Sequence, residues 1–239
     1  MDWHCTTTEE RLSDFLDGAL SPEEAAFAYS TASAPPLRIG WLTNAWAKPA
    51  PDIAAATQTA ADLLKQHGAK IADAKLPEGP YEAAAGTIVS VEGLAAFRSL
   101  LDSGKVAELA DPLGQINGYV SEQISASDYM QALQIRGVFQ KRVDALFDEF
   151  DVVMAASLPV AATTLETNLE TGLSFADPLG GIGNLCGLPA IGVPCGFTAQ
   201  KLPVGIQFMA RSRNDRDVVA AANLFQQHSD WHTKRPPIS

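Results

Sequence analysis

Cysteine is scarce: the 239 residues hold three, Cys5, Cys186 and Cys195, too few and too unevenly spaced for a disulfide framework. That excludes a disulfide-stapled secreted scaffold and points to a reducing, cytoplasmic compartment. Basic residues are also few, 17 Lys and Arg against 28 Asp and Glu, giving a net charge of -11 with no Lys/Arg cluster to offset it. The electrostatic footprint of a nucleic-acid binder, or of a protein held on an anionic membrane, is missing. No apolar run approaches the roughly 20 residues needed to cross a bilayer. The opening Met1-Asp2-Trp3-His4-Cys5 has neither the basic nor the apolar region of a secretion signal. Internal repeats and low-complexity tails are absent as well.

What is present is an alternation of apolar periods. The first break falls at Ala34-Pro35-Pro36, which predicts a short helical segment over residues 1–34 and a larger domain over 35–239. In the segment, Leu12, Phe15 and Leu16 share a helical face, and Ser21-Pro22-Glu23-Glu24 is a capped helix start. After the prolines, Leu37–Leu42 reads as a buried strand. A helix follows with Ile53, Ala56, Ala60, Leu63 and Leu64 on one face, closed by His67-Gly68, and Ala69–Ala74 is a second strand. Pro80 to Ser103 is an Ala-rich helical region, Asp111–Gly114 a loop, and a long helix starts at Ser125 or Ser127. Its apolar face carries Ala132, Ile135, Phe139, Val143, Leu146 and Phe150, while Arg136, Lys141 and Arg142 form a solvated face.

Asp151–Ala155 then enters a sheet, and 156–183 is a long loop of small and polar residues, of the kind that lines sites. Ala190–Val193 and Val204–Met209, each led in by Leu-Pro, read as two strands of a hairpin with a turn at Thr198–Lys201. A last helix begins at Asn214, which can cap it. Cys186 and Cys195 read as buried small apolar side chains, since neither has a neighbouring His or Lys to make it a thiolate.

Two sets of residues carry a resemblance. Cys5 with Arg11 to Glu24 is similar to the opening of the zinc-finger domains of anti-sigma factors, but the paired Cys-x-x-Cys that should follow is missing, so no metal site is expected. His228 and His232 stand four apart, a spacing that binds metal on a helix, but no metal ligation is expected there.

The second resemblance runs from near Pro36 to the end. The helix with Arg136, Asp151-Val-Val-Met154, Asn184-Leu-Cys-Gly-Leu-Pro-Ala-Ile-Gly-Val-Pro-Cys-Gly-Phe-Thr198 and Leu202-Pro-Val-Gly-Ile-Gln207 together resemble the C-terminal half of the amidase signature family. The resemblance implies an α/β fold, the C-terminal portion of an amidase-signature architecture with a mixed sheet flanked by helices. It also implies hydrolysis of an amide by a serine that a second serine and a lysine activate, with oxyanion donors from a Gly-Ser-rich loop.

Those groups belong to the family's N-terminal half, and this sequence has no Ser-Ser pair. No catalytic residue, metal or cofactor is therefore carried over, and the chain is expected to be inactive alone. What the resemblance does imply is a substrate-pocket wall with Ser157, Asp177 and Asn184 as its polar residues, although Asp177 before a proline also reads as a turn former. Ala156 departs from the pattern, which has a proline there. The implied partners are a small amide substrate once a catalytic half is supplied, and a partner polypeptide or further copies at an exposed sheet edge. A non-catalytic binding or regulatory protein derived from an amidase is the alternative.

Overall fold

The computed structural model describes residues 36–168 and 177–235. The helical segment expected before Pro35, with His4 and Cys5, lies outside them.

A five-stranded mixed sheet is the frame, in the order β2-β1-β3-β5-β4. Strand β1 (Arg38–Leu42) pairs in parallel with β2 (Lys70–Ala74) and with β3 (Val152–Ala156). Strands β4 (Ala190–Phe197) and β5 (Pro203–Ala210) form the expected hairpin, and β5 runs antiparallel to β3. Between β1 and β2 lies helix α1 (Pro51–Gln66). The connection from β2 to β3 carries α2 (Tyr81–Ala96), α3 (Pro112–Ser121) and α4 (Ala126–Asp144), with short helical turns at Arg98–Asp102, Lys105–Glu108 and Leu146–Glu149. Helix α5 (Pro178–Cys186) precedes the hairpin and α6 (Asp215–Gln227) follows it.

Period-two alternation splits the strands between two cores. Val152, Met154 and Ala156, with Val204, Ile206, Phe208 and Ala210, pack under α1 and α6. Val153, Ala155 and Met209 face the opposite way, toward α2, α4 and α5. Helix α1 follows β1 on one face, and the helices preceding β3 cover the other, so the strand order reverses between β1 and β3. In open α/β sheets such a switch point leaves a crevice at the carboxyl ends of the strands. Here those ends are Leu42 and Ala156.

The amino ends of the same strands are tied by charge. The Arg38 guanidinium holds Asp151 through Nε at 3.1 Å and Nη2 at 2.6 Å, and its backbone N–H donates to Asp151 at 2.8 Å. Arg211, at the end of β5, reaches Asp144 and Asp148 at 3.1 and 2.6 Å. The hydrogen bond and charge of Asp151 raise the Arg38 pKa above its ordinary value.

Several expectations are corrected. Asp111–Gly114 is the start of α3 rather than a loop: Asp111 accepts from Leu113 N and Gly114 N, with Pro112 in the first turn. The helix was illegible because none of its residues is buried. The loop 156–183 is shorter than read, since α5 begins at Pro178. The Ala-rich helix breaks at Phe97. Asn214 makes no capping bond, its amide donating instead to Asp217 at 3.1 Å. Arg136 is half-buried, close enough to Cys186 to act on its thiol electrostatically, so it does not share the solvated face of Lys141 and Arg142.

Candidate functional site

Ser157 follows β3 directly, at the mouth of the crevice. Its N–H donates to the Gly205 carbonyl at 2.9 Å, which fixes it beside β5. A Cβ on Gly205 would lie 3.0 Å from Ser157 Oγ, and one on Gly192 would lie 3.7 Å from it. The serine hydroxyl therefore sits over two glycines of neighbouring strands, with Gln207, paired with Gly192, and Pro194, paired with Gly205, on the same face. Gly192 is exposed and Gly205 half-exposed. The loop after β1 closes one side: Trp46 Nε1 donates to the Ala156 carbonyl at 2.8 Å, and Ala50 N to the Pro159 carbonyl at 2.8 Å. Ala156, where the family pattern has proline, uses its carbonyl as this anchor.

Asp177 caps α5. Its Oδ1 accepts from Gly180 N at 2.9 Å, so the turn-forming role is realised. Gly181 lets α5 seat on α2, because a Cβ there would meet Glu82 Cγ at 2.6 Å and Glu82 Cα at 3.3 Å. Ile182, Leu185 and Cys186 are buried while Asn184 is exposed. At 1.5 Å per residue, Asn184 stands about 10 Å along the helix from Asp177. A Cβ on Gly183 would lie 3.6 Å from the Met209 sulfur, which places α5 over β5 on the same sheet face as Ser157. Met209 is about 13 Å along β5 from Gly205 at 3.3 Å per residue. The fold thus places Ser157 and helix α5 on one sheet face, leaves Asn184 exposed on that helix and commits Asp177 to starting it. The glycines under Ser157 were legible as close-approach positions, but which side chain approached them was not.

Replacing Asp177 by alanine is expected to cost about 1 kcal/mol through the lost cap. Urea unfolding checks this, and an unchanged midpoint would show that the cap carries nothing.

Elsewhere, a recess of about 270 Å³ is lined by Gln140, Lys141, Asp144, Cys186, Leu188 and Ser212 and includes none of these three residues. His228 ends α6 and stacks on His67, ring centroids 3.5 Å apart, while His232 lies in the following turn at Trp231–Thr233, so the two histidines do not share a helix face. Among the described residues no helix is long and apolar enough to cross a membrane.

The family model described as Amidase matches residues 6–219. The chain belongs to the amidase family. The match begins inside the segment set apart at 1–34. A glutamyl-tRNA(Gln) amidotransferase subunit of Roseiflexus castenholzii is 25% identical over 216 residues, covering 79% of this chain and 43% of that protein. The corresponding subunit of Methanosarcina barkeri is 37% identical over 111 residues, 46% of this chain and 23% of that protein. Among solved structures, a bacterial aryl acylamidase of the amidase signature family superposes with a TM-score of 0.70 at 19% identity, over 88% of this chain and 48% of that one. This amidase chain therefore spans less than half the length of these relatives, and it has their mixed-sheet fold.

Proposed function

We propose that this chain supplies the scaffold and one wall of the substrate pocket for hydrolysis of an amide C–N bond, with nucleophile and base acting from the portion of the fold outside this sequence. The observation that carries the reading is Ser157 over the Gly192–Gly205 floor at the crevice mouth. The two glycines beside Ser157 leave room for an acyl group against the sheet, and the hydroxyl can bond the amide. Asn184 adds an exposed side-chain amide on α5. Asp177 Oδ1 is committed to the cap, leaving Oδ2 to a substrate N–H. A serine hydroxyl needs a base within hydrogen-bonding reach before it attacks a carbonyl, and the tetrahedral oxyanion needs preorganised donors. The sequence has no Ser-Ser pair to provide the first step. Membership of the amidase family and the short span relative to other members support this division of labour.

The purified chain alone is expected to release no ammonia or aniline from aliphatic or aryl amides. Mixed with the part of the Roseiflexus castenholzii relative outside its matched residues, it is expected to gain turnover. Robust turnover by the chain alone, abolished by a point substitution within it, overturns the reading. Amide binding without turnover in the mixture favours a non-catalytic binding protein instead.

A further inference from the structure

At the far end of β5 from Ser157, three elements enclose the recess of about 270 Å³. Gln140, Lys141 and Asp144 come from the last turns of α4, Cys186 and Leu188 from the end of α5, and Ser212 from the turn after β5. These elements are fixed to one another. Gly187, left-handed at φ 69°, ends α5 and lets Leu188 N donate back to the Gly183 carbonyl at 2.9 Å. A Cβ on Gly187 would lie 4.0 Å from Ser212 Oγ, so the two turns meet. Arg211 donates to Asp144 Oδ2 at 3.1 Å and to the Asp144 carbonyl at 3.2 Å, which holds the end of α4 against β5.

The polar groups of this lining are unspent. Among the described residues the side chains of Gln140, Lys141 and Ser212 make no hydrogen bond or ion pair, and Asp144 keeps Oδ1 clear of its bond to Arg211. Lys141 and Asp144 stand three apart on α4, with Cβ atoms about 5–6 Å apart by helix geometry, yet Asp144 pairs with Arg211 instead. Of the lining residues only these two are charged, and their charges cancel. A simple anion would meet Lys141 and be opposed by Asp144, and a simple cation the reverse. A molecule with both charges close together satisfies both. Helix α4 ends at Asp144 and α5 at Cys186, and these carbonyl ends favour a cationic group beside Asp144. The rest of the wall is half-buried Leu188 and Cys186, which is 4% exposed. Burial pushes that thiol up to about 11, so at neutral pH it is an uncharged surface.

We infer that this recess binds a free α-amino acid with a short apolar side chain. Lys141 and Ser212 hold its carboxylate, Asp144 Oδ1 holds its ammonium, and the side chain lies on Leu188 and Cys186. The volume falls just below the roughly 300–1,000 Å³ of drug-sized ligand sites, which suits a molecule of that size. Within a peptide an amino acid loses at least one of the two charges, so the free molecule is the ligand. The inference does not rest on the function proposed above, because none of Ser157, Asp177 and Asn184 lines the recess.

The test uses the intact chain and L-valine as probe, with 3-methylbutanoate, which lacks the ammonium, and 2-methylpropylamine, which lacks the carboxylate. Titration followed by amide NMR is expected to show saturable binding of L-valine, with shifts at 140–144, 186–188 and 212. Each single-charge analogue should bind at least tenfold more weakly. Lys141→Met should weaken L-valine binding at least tenfold and leave the melting temperature unchanged, since its side chain has no partner among the described residues. Lys141→Glu should make the recess prefer the amine to the carboxylate, a change that a merely structural role would not produce. Lys105→Met, in the short helical turn before α3, should bind L-valine normally. The inference is overturned by an absence of saturable L-valine binding up to about 10 mM. Equal binding of 3-methylbutanoate, binding untouched by Lys141→Met, or shifts confined to the Ser157 crevice overturn it as well.

Discussion

Phe208→Ala is expected to cost about 3–5 kcal/mol, the range for truncating a buried phenylalanine. The side chain is 0% exposed, and its strand is paired on both sides, with Met154 of β3 and Ile191 of β4 opposite it. It sits in the core under α1 and α6, so neither a strand nor a helix can slide in without breaking ladder bonds, and the cavity stays open. Against a typical total of about 5–15 kcal/mol, the loss removes a large share of the stability. For a unit of this size the melting temperature should fall by roughly 10 °C. Val138→Ala, at a position 48% exposed, is the contrast and should move stability by less than about 0.5 kcal/mol. Chemical denaturation of both variants decides it, and a Phe208→Ala loss below about 1 kcal/mol would show that β5 is not the centre of this core.

Stability should also fall steeply in mild alkali. Burial pushes the Cys186 thiol up to about 11, slightly opposed by Arg136, and the Cys195 thiol up to about 12. Unfolded thiols ionise near pH 8.5. Below that pH both states keep their protons and the contribution of the buried thiols is fully present. Above it the unfolded chain releases protons that the folded chain retains, so stability drops from about pH 9 to about pH 11 through Cys186 and to about pH 12 through Cys195. Tyr81, raised chiefly by burial, acts in the same direction. Urea midpoints at pH 7, 8.5, 9.5 and 10.5 measure the slope, and the Cys186→Ala/Cys195→Ala variant should lose much of it. Reaction of Cys195 with a thiol reagent at pH 8 should be slower than in the denatured chain. A midpoint flat from pH 8 to 10.5 would refute the account.

The two cysteines also show what a sequence reveals well. Their burial was legible because small thiols with no neighbouring His or Lys read as apolar side chains, and the fold buries both. The strands were legible at 37–42, 69–74, 151–155, 190–193 and 204–209, since alternation or continuous apolarity reports on burial; the first of the hairpin strands runs on to Phe197. Helix α3 was not, because its Gly114, Asn117 and Gly118 are weak helix formers and its apolar residues stay exposed. The site divides likewise. Gly192 and Gly205 could be read as close approaches, but Ser157 becomes their neighbour only because β3 is inserted between β1 and β5. Asp177 reads as turn former and as ligand with equal ease until Gly180 N is found 2.9 Å from its carboxylate.

Family, the alternation of elements, the acidic charge and the lack of a serine pair are properties of residue order and composition, and they could be read from the chain before it was folded. Three other facts came only with the folded chain: β4 ends the sheet among the described residues, Ala190 and Gly192 turn their backbone away from β5, and Ser157 shares a sheet face with helix α5. These depend on strand order and register, which pair residues far apart in the chain, and no local pattern of side chains encodes which strand lies beside which.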